Sequence, residues 1–432
     1  MRVPREAAEQ KPKDGGSREA PVPPQMTGAR INRRAADRLR QGHVWVYASD
    51  IEQGPAGEGE APRLLPVADS RGLLLGTALY SPASQIALRL VARAAIDEEA
   101  WLKLLAQRLR AAIARRRSLL NEGTDACRLC FSEADEAPGL VADKYGDLVI
   151  VQRLTRGLLT DGVREACTRV LREELAPAAI VERPDPRIRE LEGLEAPDTA
   201  PWWAANPQEP VTSTQFRLNG LRFHFDANAG QKTGAFLDQR ENYAAAREWV
   251  QRLNTRERAL DVCCYQGGFA LHLAEMCRAV TGIDASRASL EVAEKNLEAN
   301  RERLGGNEVD WVEGDAFTIL RDWSDAGEKF DAIVLDPPAF AKSKRAVEGA
   351  LRGYKELNLR ALKMVKPGGL LMTFSCSHHV GWGDLEGAVA AAAADAHRRV
   401  RLLERRGAAP DHPVVLNLPE TEYLKCLALE VE

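Results

Sequence analysis

No stretch of this 432-residue chain approaches the ~20 consecutive apolar residues that a bilayer crossing needs. The longest nearly apolar run, Ala388–Ala394, is Ala-rich and ends at Asp395. A transmembrane helix is therefore excluded and no membrane partner is expected. The first ten residues, MRVPREAAEQ, lack an apolar h-region, so a secretory signal is not expected either. Eight cysteines are too few for a disulfide framework, and Cys263, Cys264 and Cys426 sit in apolar runs, where a buried reduced thiol is the ordinary outcome. The expected location is cytoplasmic. The one C-x-x-C, Cys127-Arg128-Leu129-Cys130, has no second pair, so neither a zinc site nor any other metal site is expected. A large positive charge is missing too. With a net charge of −4, nucleic-acid binding would have to come from local patches.

What is present is an ordinary globular composition, 45% apolar and 28% charged, long enough for about three structural units. Residues 1–27 carry Pro, Gly and charges without periodicity, and Pro21–Pro24 forbid helix, so a disordered tail is expected. Residues 28–95 form a small β-rich unit in which Ile86–Leu90 alternate with period two. There Arg30, Arg33, Arg34, Arg38 and Arg40 face a single acid, Asp37, and Trp45 and Tyr47 follow. Cations beside aromatics suit phosphate contact and base stacking, although the two aromatics taken alone fit a strand's core better. Residues 96–205 form a middle α+β unit. Leu102, Leu105, Leu109 and Ile113 share a helix face, and Lys103, Arg108, Arg110 and Arg115–Arg117 meet no acid between Trp101 and Leu120. Those cations read either as a solvated face or as an RNA-backbone contact.

Phe216–Phe225 predicts a hairpin. Asn219-Gly220 supplies a type I′ turn, and Phe216, Leu218, Leu221, Phe223 and Phe225 form the apolar face. In residues 206–432, strand-like runs at Ala259–Val262, Ala279–Asp284, Val309–Val312, Ala332–Asp336, Leu370–Ser375 and Tyr423–Val431 alternate with helical segments such as Ser286–Arg303. This alternation predicts an α/β fold with a parallel, doubly wound sheet.

Chemistry gathers at those strand ends. Asp261-Val262-Cys263-Cys264-Tyr265-Gln266-Gly267-Gly268 is a strand followed by a Gly-containing turn, without the full dinucleotide fingerprint. Asp261, Asp284, Asp315 and Asp336 recur at strand ends, where open α/β sheets bind ligands. An acid after the second strand suits ribose hydroxyls. Asp315 could accept an adenine amino group, with Phe317 packing on the ring. These features resemble the class I S-adenosylmethionine-dependent methyltransferases. Asp336-Pro337-Pro338 holds a carboxylate on a rigid extended turn. Amino-directed enzymes place an aromatic next, whereas this chain has Ala339. Cys376, in Ser375-Cys376-Ser377-His378-His379, ends the fifth strand. A thiolate there can add to C6 of a pyrimidine and make C5 nucleophilic; the bland alternative is an inert buried thiol.

Together with Gly42–Tyr47, Gly76–Ile86, Ala137–Gly146, Arg187–Leu194, Gly230–Asn242, Pro410–Pro413 and Pro419–Lys425, these motifs resemble the bacterial family of 23S ribosomal RNA 5-methylcytosine methyltransferases. The resemblance implies a PUA domain at 28–95, a middle α+β domain at 96–205 and a class I methyltransferase domain at 206–432. It implies S-adenosyl-L-methionine as cofactor, large-subunit ribosomal RNA as partner, and Cys376 and Asp336 as catalytic residues. The implied cofactor contacts come from Lys232, Thr233, Asp261, Cys263, Tyr265, Gly267, Asp284, Asp315, Ala316 and Asp336. Lys232 and Thr233 would meet the methionine carboxylate, and Arg240 would support their segment. A homodimer stays open, as do two other functions: N-methylation of a guanine or adenine amino group, and an inactive RNA-binding assembly factor.

Overall fold

The computed structural model describes residues 28–55, 63–194, 200–228, 234–341 and 343–432; the expected tail, 1–27, lies outside the described residues. The chain divides into two compact units, Met1–Glu98 and Glu99–Glu432. The stretches 96–205 and 206–432, expected as separate domains, therefore lie within one unit apart from its first few residues, although each keeps its own sheet.

The first unit is a six-stranded sheet in the order Trp45–Tyr47, Ile86–Ala92, Leu74–Tyr80, Leu64–Asp69, Ala29–Ile31, Ile51–Gln53, with a helix at Arg33–Arg40. Asn32 caps that helix by accepting from the Ala35 amide at 2.9 Å. Val46 is buried, whereas Trp45 and Tyr47 beside it are half-exposed, so neither belongs to the core. The Arg38 guanidinium lies 5.1 Å from the Tyr47 ring centroid. Arg38 and Arg40 pair with Asp50 and Asp69, and Arg30 and Arg34 are exposed.

In the second unit, the helix Glu98–Arg116 buries Leu105, Leu109 and Ile113. Its cations are compensated after all. Lys103 pairs with Glu99, Arg108 with Glu136, Arg110 with Glu173 and Glu174, Arg115 and Arg116 with Asp135, and Arg117 with Glu174. Most of these acids come from a neighbouring helix and turn, so a reading of the helix alone could not find them. The middle sheet runs Trp203–Ala204, Ala179–Glu182, Leu148–Arg153, Leu140–Tyr145, Ala126–Phe131. Cys127 and Cys130 are buried in its last strand. Burial pushes the Cys127 thiol up to about 12 and raises that of Cys130 well above its ordinary value, so both stay protonated.

The hairpin forms as expected, Ser213–Leu218 against Leu221–Asp226, with Asn219 and Gly220 both at positive φ. Its apolar face joins one hydrophobic cluster with Tyr145, Ile150 and Val181 of the middle sheet and with Phe269, Val334 and Phe374. Tyr145 and Phe225 stack at 4.1 Å.

The C-terminal sheet has seven strands: β1 Arg258–Val262, β2 Ala279–Asp284, β3 Glu308–Glu313, β4 Phe330–Leu335, β5 Val365–Ser375, β6 Val400–Arg406 and β7 Lys425–Val431. Their spatial order is 3-2-1-4-5-7-6. The helices are α1 Arg240–Gln251, α2 Gly268–Ala274, α3 Arg287–Leu304, α4 Ala316–Ala326, α5 Val347–Met364 and α6 Trp382–Asp395. The first five strands are parallel, as expected. β7 is antiparallel to β5, and β6 is antiparallel to β7, so the sheet is mixed. The β6 edge strand escapes the sequence pattern because Val400–Arg406 alternates no apolar face. No helix among the described residues is long and apolar enough to cross a membrane.

Candidate active site

A cleft of about 320 Å³ opens at the carboxyl ends of β1, β2, β4 and β5. It is lined by Cys263, Tyr265, Asp284, Asp315, Ala316, Asp336 and Cys376, and also by Asp238, Gln239, Phe317, Phe340 and Leu424. Topology brings them together, since each parallel strand delivers its last residue to the same edge. Lys232 and Thr233 lie outside the described residues.

The turn after β1 is strained. Cys263 and Tyr265 have φ of 63° and 50°, values that non-glycine residues seldom adopt, and Gly267 has φ 83°. The hydrogen bonds that hold them there are specific. The Cys264 amide donates to Ile283 O at 2.9 Å and the Gly267 amide to Cys264 O at 2.8 Å. The two Asp284 oxygens accept from the Tyr265 and Ser286 amides at 2.8 Å each. Gly267 does not line the cleft. A Cβ there would stand 2.7 Å from the Trp311 ring, so its part is to let the turn close. The Tyr265 hydroxyl donates to Gly234 O at 3.0 Å, tying this turn to the segment that resembles a cofactor cover.

Asp261 is not in the cleft wall but fully buried behind it. One of its oxygens accepts from the Ala270 amide at 2.8 Å, and the other has no partner among the described residues. Burial, then the neighbouring Asp336 and Asp284 charges, raise its pKa well above the ordinary carboxylate range. Burial raises the Cys263 thiol as well, with the acids around it adding to the effect. Asp315 caps α4 by accepting from the Thr318 amide at 2.9 Å, and Phe317 and Phe340 lie 5.9 Å apart, ring to ring.

At the other side, Cys376 is half-buried with Sγ 3.9 Å from Pro337 O, so the thiol and the Asp-Pro-Pro turn share one wall. His378 and His379 are exposed, as a solvated pair would be. Three partners are not apparent from sequence. Gln239 donates from Nε2 to Asp336 Oδ2 at 2.8 Å and accepts from Asn242 at 2.6 Å. Tyr423 donates its hydroxyl to Asp238 at 2.5 Å. Arg240, 2% exposed, reaches Asp411 at 3.5 Å. The only signal in the sequence was that Gly230–Asn242 and Pro419–Lys425 resemble segments of the family, which says nothing of these pairings.

The family model described as S-adenosylmethionine-dependent methyltransferase matches residues 141–423, and that of a PUA-like domain matches residues 29–93. This chain belongs to the S-adenosylmethionine-dependent methyltransferase family. A ribosomal RNA large subunit methyltransferase I from Erwinia tasmaniensis is 36% identical, over 91% of this chain and 96% of its own length. Its counterpart from Pseudoalteromonas translucida is 35% identical, over 94% and 100%. Among solved structures, a SAM-dependent methyltransferase from Streptococcus mutans superposes with a TM-score of 0.75 at 18% identity, covering 94% of this chain and 100% of that one. A methyltransferase complexed with SAH gives 0.76, also at 18%. These two establish the fold of the methyltransferase.

The cofactor is S-adenosylmethionine, and the cleft fits its chemistry. The cofactor carries a sulfonium, an ammonium and one carboxylate, hence a net positive charge. The cleft offers Asp284, Asp315 and Asp336 in its wall and the partnerless oxygen of Asp261 behind it.

Proposed function

We propose that this methyltransferase forms 5-methylcytosine in large-subunit ribosomal RNA through a covalent bond between Cys376 and C6 of the base. The observation that carries the proposal is the thiol of Cys376 and the carboxylate of Asp336 lining one cleft with the strand-end acids. The relatives' names support the RNA class, and the PUA-like match supports an RNA-binding first unit.

In this reading Asp284 receives the ribose hydroxyls, and Asp315 and Ala316 receive the adenine beside Phe317. Cys263, Tyr265 and Gly267 shape the floor, Asp261 supports it, and Lys232 and Thr233 meet the methionine carboxylate. Asp336 stands between cofactor and base. Bound there, the cofactor supplies an electrophilic sulfonium methyl group. The Cys376 thiolate adds to C6, and C5 becomes the nucleophile that takes the methyl group. Loss of the C5 proton then restores the C5–C6 double bond and expels the thiolate. The half-exposed Trp45 and Tyr47 and the exposed Arg30 and Arg34 suit single-stranded RNA, whose bases stack on aromatics. The cations of Lys103–Arg117 suit it less, since each has an acid partner.

Bisulfite mapping and nucleoside mass spectrometry of ribosomal RNA from cells with native protein, Cys376→Ala protein or none provide the test. A cytosine methylated only with the native protein is expected. Undiminished C5 methylation by Cys376→Ala, or a methyl group on nitrogen, overturns the reading.

A further inference from the structure

The turn that carries Cys376 rests on a buried ammonium. Lys425 opens β7 and stands directly opposite Ser375, the last residue of β5, in the antiparallel ladder. Its Nζ donates to the carbonyl oxygen of Ser377 at 3.0 Å. It is therefore in register with the residue before Cys376 and bonded to the residue after it. Only 3% of Lys425 is exposed, and lysine is almost never buried so deeply without a counter-charge.

That counter-charge is missing from the resting arrangement. An ammonium has three protons to donate, and the Ser377 carbonyl takes one. Among the described residues no carboxylate lies within ion-pair distance of Lys425. Glu422, on the loop before β7, accepts from Trp382 Nε1 at 3.0 Å. Asp384, on α6, accepts from the Gly381 amide at 2.9 Å. From α5, Tyr354 faces the same turn, its hydroxyl bonded to Ser375 Oγ at 2.9 Å and Ser377 Oγ at 3.1 Å. Burial, with a contribution from the charge at Cys376, raises that phenol's pKa, so it is a neutral dipole near pH 7. His378 is exposed, its ring 5.7 Å from that of Tyr423. Burial lowers the pKa of Lys425, while Glu422, Cys376 and Asp384 pull it back up. The group that can become an anion next to both bonded residues is the thiol of Cys376.

We propose that Lys425 is the counter-ion of the Cys376 thiolate: ionisation of the thiol gives the buried ammonium the charge it lacks, and the ammonium holds the thiolate at neutral pH. The proposal rests on Cys376 being the nucleophile and adds a residue that acts through it. Ionisation sends the thiol proton to solvent and leaves the electron pair on sulfur. In the C6 adduct that sulfur is neutral, so the ammonium favours the thiolate both before attack and on departure. Its effect is therefore on the thiolate fraction and on release, more than on the adduct itself.

The experiment is the pH profile of iodoacetamide alkylation at Cys376 in the full-length protein, read by mass spectrometry of its peptide. Lys425→Met and Lys425→Gln are expected to move the midpoint up by about one pH unit, a roughly tenfold smaller thiolate fraction near neutrality. Lys425→Arg keeps the charge and is expected to keep the native midpoint. Binding of S-adenosylhomocysteine identifies which variants are folded. A native midpoint in either folded neutral variant overturns the proposal, as does an Arg variant that shifts like the neutral ones. Failure of the proposed function reads differently. Cys376→Ala would then retain its product while the alkylation shift persisted, whereas a flat alkylation response would leave the methylated product in place.

Discussion

His272 should make this unit acid-labile over a narrow and calculable window. Its ring is fully buried on α2, between the Phe223 and Tyr243 rings at 6.2 and 5.1 Å. Nδ1 lies 2.7 Å from Gly268 O, which can only accept, so Nδ1 carries the proton; Nε2 then accepts from Asn219 Nδ2 at 3.1 Å. A second proton on Nε2 would face that amide donor. Burial accordingly lowers the pKa from 6.5 to about 4. Between those values the unfolded chain binds a proton that the folded chain refuses. Stability is thus complete above 6.5, falls by about 1.4 kcal/mol per pH unit below it, and has lost about 3 kcal/mol once pH is below 4. The carboxylates also titrate as pH falls, so the measurement is a difference. In urea unfolding followed by tryptophan fluorescence, native protein should lose about 2 kcal/mol more than His272→Gln between about pH 7.5 and about pH 5. Equal losses would show that the imidazole is either hydrated or already charged in the fold, and the reasoning would fail.

Two further predictions follow from the same kind of geometry. In Gly268→Ala the new Cβ meets the Tyr243 ring at 2.5 Å. Because Tyr243 lines the cleft, S-adenosylhomocysteine affinity measured by calorimetry should fall at least about tenfold, with about 1–3 kcal/mol of stability lost; unchanged affinity would contradict the crowding. Arg116→Met removes the buried, two-bonded partner of the buried Asp135, which Arg116 grips at 2.7 Å through both terminal nitrogens, and leaves it only the more exposed Arg115 guanidinium and the Phe131 amide. It should cost about 3 kcal/mol in chemical unfolding, most of it regained when Asp135→Asn is added; additive losses would show that the pair is solvated.

The sheet was legible because buried parallel strands must be apolar and must recur at the spacing of a βα unit. Five of the six anticipated strands match to within two residues, and Cys376 stands where the fifth ends. The hairpin was legible for a different reason, since Asn219-Gly220 between alternating aromatics leaves few other conformations open. What sequence could not supply was compensation at a distance. The cations of Arg108–Arg117 looked free because their partners, Asp135, Glu136, Glu173 and Glu174, lie beyond the helix. Asp261 read as a cleft residue because a strand end does not reveal which way its side chain points; here it bonds α2 from behind.

The same limit hides the part that the middle sheet plays. The middle sheet and the helix Glu98–Arg116 together hold the loop that precedes β7. Arg116 donates to Asp411 O at 2.9 Å, and the Arg128 amide donates to Asp411 Oδ2 at 2.8 Å. Arg128 itself grips Asp143 with two bonds, at 2.8 and 2.9 Å. His412 and Arg240 stabilise the Asp411 carboxylate and bring its pKa to about 2, despite burial acting the other way. Asp411 therefore stays ionised throughout the physiological range, and the loop stays pinned between the middle sheet and α1. From that anchor the chain runs through Tyr423, bonded to Asp238, to Lys425 under the Cys376 turn. The cleft is thus assembled from segments far apart in sequence, and the middle sheet anchors the loop that leads into the last of them. A sheet with no residue in the cleft in this way anchors the segment that carries Tyr423, Leu424 and Lys425 to it.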